Sequence, residues 1–125
     1  MNHIRILIIE DDASVRTLLV HVLEEAGYHV YEAANGREGL HRFDREPVDL
    51  VLTDLEMPEI NGLDVIRALT RVRVDVKIIA MSGLSSEERQ VAKLLGARQT
   101  LSKPIDLQEL LHTVQHESQH IGTGT

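Results

Sequence analysis

The chain has 125 residues, a formal charge of −7, 42% hydrophobic and 2% aromatic residues, and no cysteine. That is one domain's worth of chain with an aliphatic core, which argues against disorder. It also excludes disulfides and thiolate metal sites, and the acidic balance argues against a general affinity for nucleic acid or an anionic membrane.

The first element is the short apolar run Ile6-Leu7-Ile8-Ile9, too short for a signal peptide or a membrane span. Glu10-Asp11-Asp12 follows, and then apolar residues recur at three and four: Val15, Leu18, Leu19, Val22, Leu23 and Ala26. That spacing predicts an amphipathic helix, with Asp12 as its cap and Gly27 as the left-handed residue at its end. Residues 29–33, HVYEA, alternate like a strand. Asn35 and Glu38 have the spacing of an N-cap and third helical position, ahead of Leu40 and Phe43. Pro47 closes that helix, and DLVLT (49–53) is the next strand. A loop with Pro58, Asn61 and Gly62 leads to a helix carrying Leu63, Ile66 and Leu69. VKIIAM (76–81) is a strand. Ser85 and Glu88 repeat the capping pattern before Val91, Leu94 and Leu95, and Gly96 ends that helix. RQTLS (98–102) is a weak strand, and Asp106 and Glu109 open a last helix with Leu107, Leu110, Leu111 and Val114.

Five strands alternating with five helices over short connections predict an α/β fold whose parallel sheet is covered on both faces. Central parallel strands are continuously apolar, whereas HVYEA and RQTLS are more polar and fit the edges. The expected order is therefore 2-1-3-4-5, the flavodoxin-like (βα)5 doubly wound arrangement. Residues 1–118 form the expected domain, and 119–125 a flexible tail.

In such a sheet ligands gather beyond the carboxyl ends of the strands, at the point where the order reverses. The strand ends supply Glu10, Asp11 and Asp12, then Asp54 and Glu56, then Ser82-Gly83, then Ser102-Lys103-Pro104. Each piece alone has a plain reading: an acid or serine after a strand is often a helix cap, and Lys-Pro is a turn. Together they are harder to dismiss. Clustered carboxylates raise one another's pKa unless a cation joins them, and an all-oxygen ligand set selects a hard ion such as Mg²⁺. Adding an ammonium and a hydroxyl makes a cradle for a phosphoryl group, whose transfer needs positioning and charge neutralisation. Mg²⁺ takes one oxygen, Lys103 a second, and Ser82 with nearby backbone N–H groups a third. A carboxylate can be the acceptor, giving an acyl phosphate.

At this point the sequence resembles a response-regulator receiver domain, the phospho-acceptor module of two-component signalling, over about residues 4–117. The carriers are LIIEDD (7–12), LTDLEMPEINGLD (52–64), AMSG (80–83) and LSKPI (101–105). The resemblance implies that Asp54 is the phospho-acceptor, that Asp11 ligates Mg²⁺ directly and Glu10 through water, and that Glu56 offers its backbone carbonyl to the metal. Ser82 stands at the switch hydroxyl position. Lys103 is the lysine that pairs with the acceptor, and Pro104 follows it, in the family often through a cis peptide. Three residues before the lysine the family usually has Tyr or Phe. Here Thr100 stands there, so the usual hydroxyl–aromatic coupling cannot operate in that form.

The implied function is a stand-alone cytoplasmic signalling domain, not an enzyme, that takes a phosphoryl group from a sensor histidine kinase or a histidine phosphotransfer protein. Its output partner would dock on the face of the fourth helix, fifth strand and fifth helix, where Arg89, Lys93 and Arg98 give a basic cast. No nucleic acid or membrane contact is expected, and the domain is expected as a monomer or weak homodimer. The enzymatic alternative is a small phosphohydrolase with Asp54 as nucleophile. It is disfavoured because Glu56 stands where a dehalogenase-type phosphatase has its second Asp. A flavin or nucleotide binder is disfavoured because three acids after the first strand repel phosphate. His112, His116 and His120 fall on one helical stripe, a spacing that can bind Zn²⁺, though an exposed last turn is the plainer reading.

Overall fold

A computed structural model describes residues 4–83, 85–119 and 121. Among them β1 (Arg5–Ile9), α1 (Ala13–Glu25), β2 (His29–Ala33), α2 (Gly36–Arg45), β3 (Leu50–Asp54), α3 (Gly62–Val72), β4 (Lys77–Ser82), α4 (Ser86–Leu95), β5 (Gln99–Ser102) and α5 (Leu107–Ser118) follow in strict alternation. The sheet has the order β2-β1-β3-β4-β5, and every pairing is parallel. The expected flavodoxin-like architecture is the observed one.

The continuous apolar runs now have a reason. Successive side chains of a strand face opposite ways. Leu7 and Ile9 of β1, with Val51, Ile78 and Ala80, pack under α2, α3 and α4 against Phe43, Val65, Ile66, Leu69 and Ala92. Ile6 and Ile8, with Leu50, Leu52, Ile79 and Met81, pack under α1 and α5 against Leu19, Leu23, Leu110 and Val114. Each fully buried Leu or Ile here contributes about 1.5–3 kcal/mol relative to exposure. The more polar β2 and β5 are the edges, as their sequences require.

Local signals set the helix starts. Asp12 accepts the N–H groups of Ser14 and Val15, Asn35 that of Glu38, Asn61 that of Asp64, and Asp106 those of Gln108 and Glu109. Ser85 differs from expectation: it occupies the N-cap of α4, but its side chain makes no capping hydrogen bond. The first turn of α4 instead carries Glu87 and Glu88, whose charges favour the positive end of a helix. Gly27 and Gly96 take φ of 98° and 133° where α1 and α4 end, conformations that glycine adopts without a Cβ penalty.

Two strands run one residue further than the sequence pattern indicated. β3 ends at Asp54 and β4 at Ser82, because the Leu55 N–H donates to the Met81 carbonyl at 2.9 Å and carries the ladder past Thr53. Asp54 and Ser82 are therefore held by the sheet and not by loops. Most of the expected tail, 120 and 122–125, lies outside the described residues. Ile121 rests on the core beneath α5, and its N–H donates to the Ser118 carbonyl. Among the described residues, no helix is long and apolar enough to cross a membrane.

Candidate functional site

Asp54 is the last residue of the central strand β3, 1% exposed, and in register with Met81 of β4. Its neighbour β1 ends at Ile9, so Glu10 emerges beside it and is also 1% exposed. Among the described residues, Glu10, Asp11 and Asp54 are the one group of three potential ligands that bring an oxygen each to within 4.8 Å of one another. Asp12, the fourth acid in reach by sequence, is spent on capping α1.

The only ammonium at this cluster comes from the loop after β5, among the described residues. Lys103 Nζ stands 2.9 Å from Asp54 Oδ1 and 3.5 Å from Glu10 Oε1. Its backbone is fixed too, since the Lys103 N–H donates to the Ser82 carbonyl at 2.9 Å. The Lys103–Pro104 peptide is cis. Ser82 is fully buried at the end of β4. Thr100 is half-buried on β5, opposite Ala80.

The electrostatics follow from burial. Desolvation pushes the Glu10 carboxyl up to about 7, partly opposed by the Asp12 N–H and reinforced by the charge of Asp54. Desolvation also raises Asp54, against the pull of Lys103 and the Glu56 N–H. For Lys103, burial lowers the pKa, but Asp54 first and then Glu10 and Glu56 more than offset this, and the ammonium is held above its ordinary value. One lysine does not neutralise two buried acids and a third at the rim. Glu10 Oε1 is buried without a hydrogen-bond partner. An all-oxygen cluster with an orphaned carboxylate oxygen and two carboxyls pushed upward fits a hard divalent cation.

Close packing supports the rim from below. The Gly62 N–H donates to the Leu55 carbonyl, and a Cβ at Gly62 would run into the Asp54 carbonyl oxygen and the Leu55 Cα. The start of α3 is thereby clamped directly under the end of β3. Glu10 is held from another side: Arg16 of α1 donates to its carbonyl at 2.8 Å, and the Asp12 N–H donates to its Oε2 at 3.1 Å.

A match of the response regulator receiver domain model to residues 6–115 accords with this geometry. The chain belongs to that family. The receiver domain is 37% identical over 118 residues to the response regulator receiver protein CpdR of Brucella abortus, covering 89% of this chain and 93% of that one. It is 41% identical over 115 residues to a probable transcriptional regulatory protein of Picosynechococcus, covering 86% of this chain. There it spans only 46% of the relative's length. A CheY-like receiver domain protein from Methanospirillum hungatei superposes with a TM-score of 0.91 at 28% identity, covering 95% of this chain and 96% of the other. The acidic pocket of Glu10, Asp11 and Asp54 fits the phospho-aspartate site of receiver domains, which bind Mg²⁺ at such a site. Receiver domains take their phosphoryl group from histidine kinases and signal to downstream partners. The family is one of signalling proteins, and the phosphohydrolase alternative is not favoured.

Two features were not read from the sequence. The side chain of Glu56, expected to contribute only a carbonyl, accepts the Gly83 N–H at 2.8 Å. Arg98, grouped with a basic face, turns to Glu117 of α5 at 3.4 Å. No short-range pattern signals either contact, because each joins residues on different crossovers. His112 and His116 line an open cleft of about 250 Å³ with Gln99 and Thr113. His120, the third member of that stripe, lies outside the described residues.

Proposed function

We propose that Asp54 accepts the phosphoryl group, and that Glu10, Asp11, Asp54 and the Glu56 carbonyl hold Mg²⁺. The observation that carries this reading is the pair of contacts from Lys103 Nζ to Asp54 and Glu10: of the clustered acids, Asp54 alone lies at the end of the central strand with the ammonium at hydrogen-bond distance. An Asp54 oxygen attacks the phosphorus of a phosphohistidine. The P–O bond forms as the P–N bond breaks, and the electron pair leaves with the imidazole nitrogen, which takes up a proton. Lys103 stays beside the transferred group and meets the charge that develops on its oxygens. The Ser82 hydroxyl, at the end of β4, is the switch group drawn toward the phosphoryl group. Bound Mg²⁺ supplies charge neutralisation for the acids and for one phosphoryl oxygen.

The new group adds a charge of about −1.5 to −2 to the pocket. Ser82, Thr100 and Pro104 lie on β4, β5 and the loop after it, so the change spreads toward the face of α4, β5 and α5, where a protein partner docks. With Thr100 in place of an aromatic ring, the readout depends on backbone and loop shifts more than on a swinging side chain. The donor is a sensor histidine kinase or a histidine phosphotransfer protein, and the domain acts in the cytoplasm as a monomer or weak homodimer, by its own aspartate chemistry and not as an enzyme on other substrates. Residues 1–118 are the functional unit, with 119–125 as its tail. Because the chain spans about half of the Picosynechococcus relative, any output activity of a longer protein belongs to this proposal too.

The test is intact mass after incubation with Mg²⁺ and a small acyl phosphate. Wild type gains one phosphoryl group and Asp54→Asn gains none. Labelling of another residue, or no labelling of wild type with any donor, overturns the reading.

A further inference from the structure

A phosphoryl group on Asp54 needs donors, and the rim has few backbone N–H groups to give. The Leu55 N–H is committed to the Met81 carbonyl in the ladder, at 2.9 Å. The Glu56 N–H donates to Asp54 Oδ1 itself, at 3.1 Å. The Lys103 N–H donates to the Ser82 carbonyl. The Gly83 N–H is different, because a side chain other than that of Asp54 holds it: Glu56 Oε1, reaching across from the loop after β3, at 2.8 Å. Of these donors it is the one that can be freed by a rotamer change that disturbs neither the sheet nor Asp54 itself.

Gly83 is well placed to be such a donor. It follows Ser82 directly, beside the strand that ends in Asp54, and a Cβ on it would lie 3.5 Å from Glu56 Oε1 and 3.6 Å from Lys103 Cβ. It thus sits between the carboxylate of Glu56 and the lysine that reaches Asp54. The bond is also poised to open. Glu56 Oε2 is buried without a hydrogen-bond partner. Leaving a carboxylate oxygen unpaired offsets much of what the bond to Gly83 contributes, and swinging out returns that oxygen to water. Glu56 is half-exposed, so water is near.

We infer that Glu56 is a latch on the phosphoryl cradle: in the unmodified domain its carboxylate occupies the Gly83 N–H, and phosphorylation of Asp54 proceeds when a phosphoryl oxygen displaces it. The inference rests on Asp54 as acceptor and adds a residue that sets how readily the acceptor is modified. The latch joins the loop after β3 to the loop that leads into α4. Its release therefore frees the entry to α4 at the moment the phosphoryl group arrives.

The test uses the whole chain, saturating Mg²⁺ and acetyl phosphate, with intact mass followed over time for wild type, Glu56→Ala and Glu56→Gln. Glu56→Ala removes acceptor and charge, and the expected gain is about two- to tenfold in labelling rate, the equilibrium worth of one hydrogen bond. Glu56→Gln keeps an acceptor without the charge and falls between the two. A second readout follows the Gly83 amide by NMR. In unmodified Glu56→Ala its resonance moves away from the hydrogen-bonded position of wild type, and beryllofluoride with Mg²⁺ returns it. Thermal unfolding confirms that both variants are folded. Normal labelling of Asp54 with no gain in rate in either variant, or an unmoved Gly83 amide, overturns the latch and leaves the acceptor assignment standing. No labelling of wild type overturns the acceptor assignment itself.

Discussion

Two buried carboxylate sites lie in this small domain, and they are finished differently. Glu117, on α5, is 2% exposed, and its Oε1, like Glu10 Oε1, has no hydrogen-bond partner, but Arg98 stands 3.4 Å from that oxygen and serves Glu117 alone, and the Gln99 side-chain amide donates to Oε2 at 2.9 Å. A full charge meets a full charge and a neutral donor, all from β5 and its approach. At the opposite end of the neighbouring strands, Glu10 and Asp54 are each 1% exposed and share one lysine with exposed Asp11 close by. The first site ties a helix to an edge strand. The second is left short of positive charge, and a chain does not bury that deficit for the sake of the fold. Equal burial thus separates into a structural and a chemical role once the partners are counted.

The sharpest way to break the comparison is to remove the shared cation. Lys103→Met leaves Glu10 and Asp54 facing each other, and metal-free stability at pH 8 should fall by about 1–3 kcal/mol. Mg²⁺ should recover most of that loss, as read from urea unfolding with and without the ion. If Lys103→Met is neutral without metal, the two acids are not the frustrated pair described here.

Neutralising one acid should act with opposite sign at the two sites. Glu10 is held protonated up to about 7 in the fold, against 4.5 for the ordinary group. The native state therefore binds the extra proton between those values. Metal-free stability falls as pH rises from about 4.5 to about 7 and levels off above. Glu10→Gln removes this slope and should stabilise the metal-free domain at pH 8 by about 1–2 kcal/mol. Glu117→Gln loses the Arg98 pair and should destabilise it by about 1 kcal/mol. Equal signs for the two substitutions in a pH series of urea titrations would erase the distinction.

The smallest effect is expected at Thr100. Thr100→Tyr, half-exposed on an edge strand, should change stability by less than about 0.5–1 kcal/mol. It should widen the difference in partner affinity between the unmodified and beryllofluoride-bound domain, measured by calorimetry. An unchanged difference removes this position from the readout.

Much of the architecture is legible along the chain because it is local. Apolar runs of four to six residues, caps at Asp12, Asn35, Asn61 and Asp106, and glycines at 27 and 96 each act within a few positions. The polarity of HVYEA and RQTLS was enough to place the edges, and the edges were enough to bring Glu10, Asp54 and Lys103 to one rim. Tertiary structure decided what required distances between crossovers: that the ladder holds Asp54 and Ser82 within the sheet, that Lys103 serves two acids at once, that Arg98 belongs to Glu117, and that the Glu56 side chain takes the Gly83 N–H. A strand's period fixes the direction of a side chain. Whether a charge meets a partner at 3 Å or stays orphaned depends on the register of neighbouring strands and the path of their loops, which no short window of sequence contains.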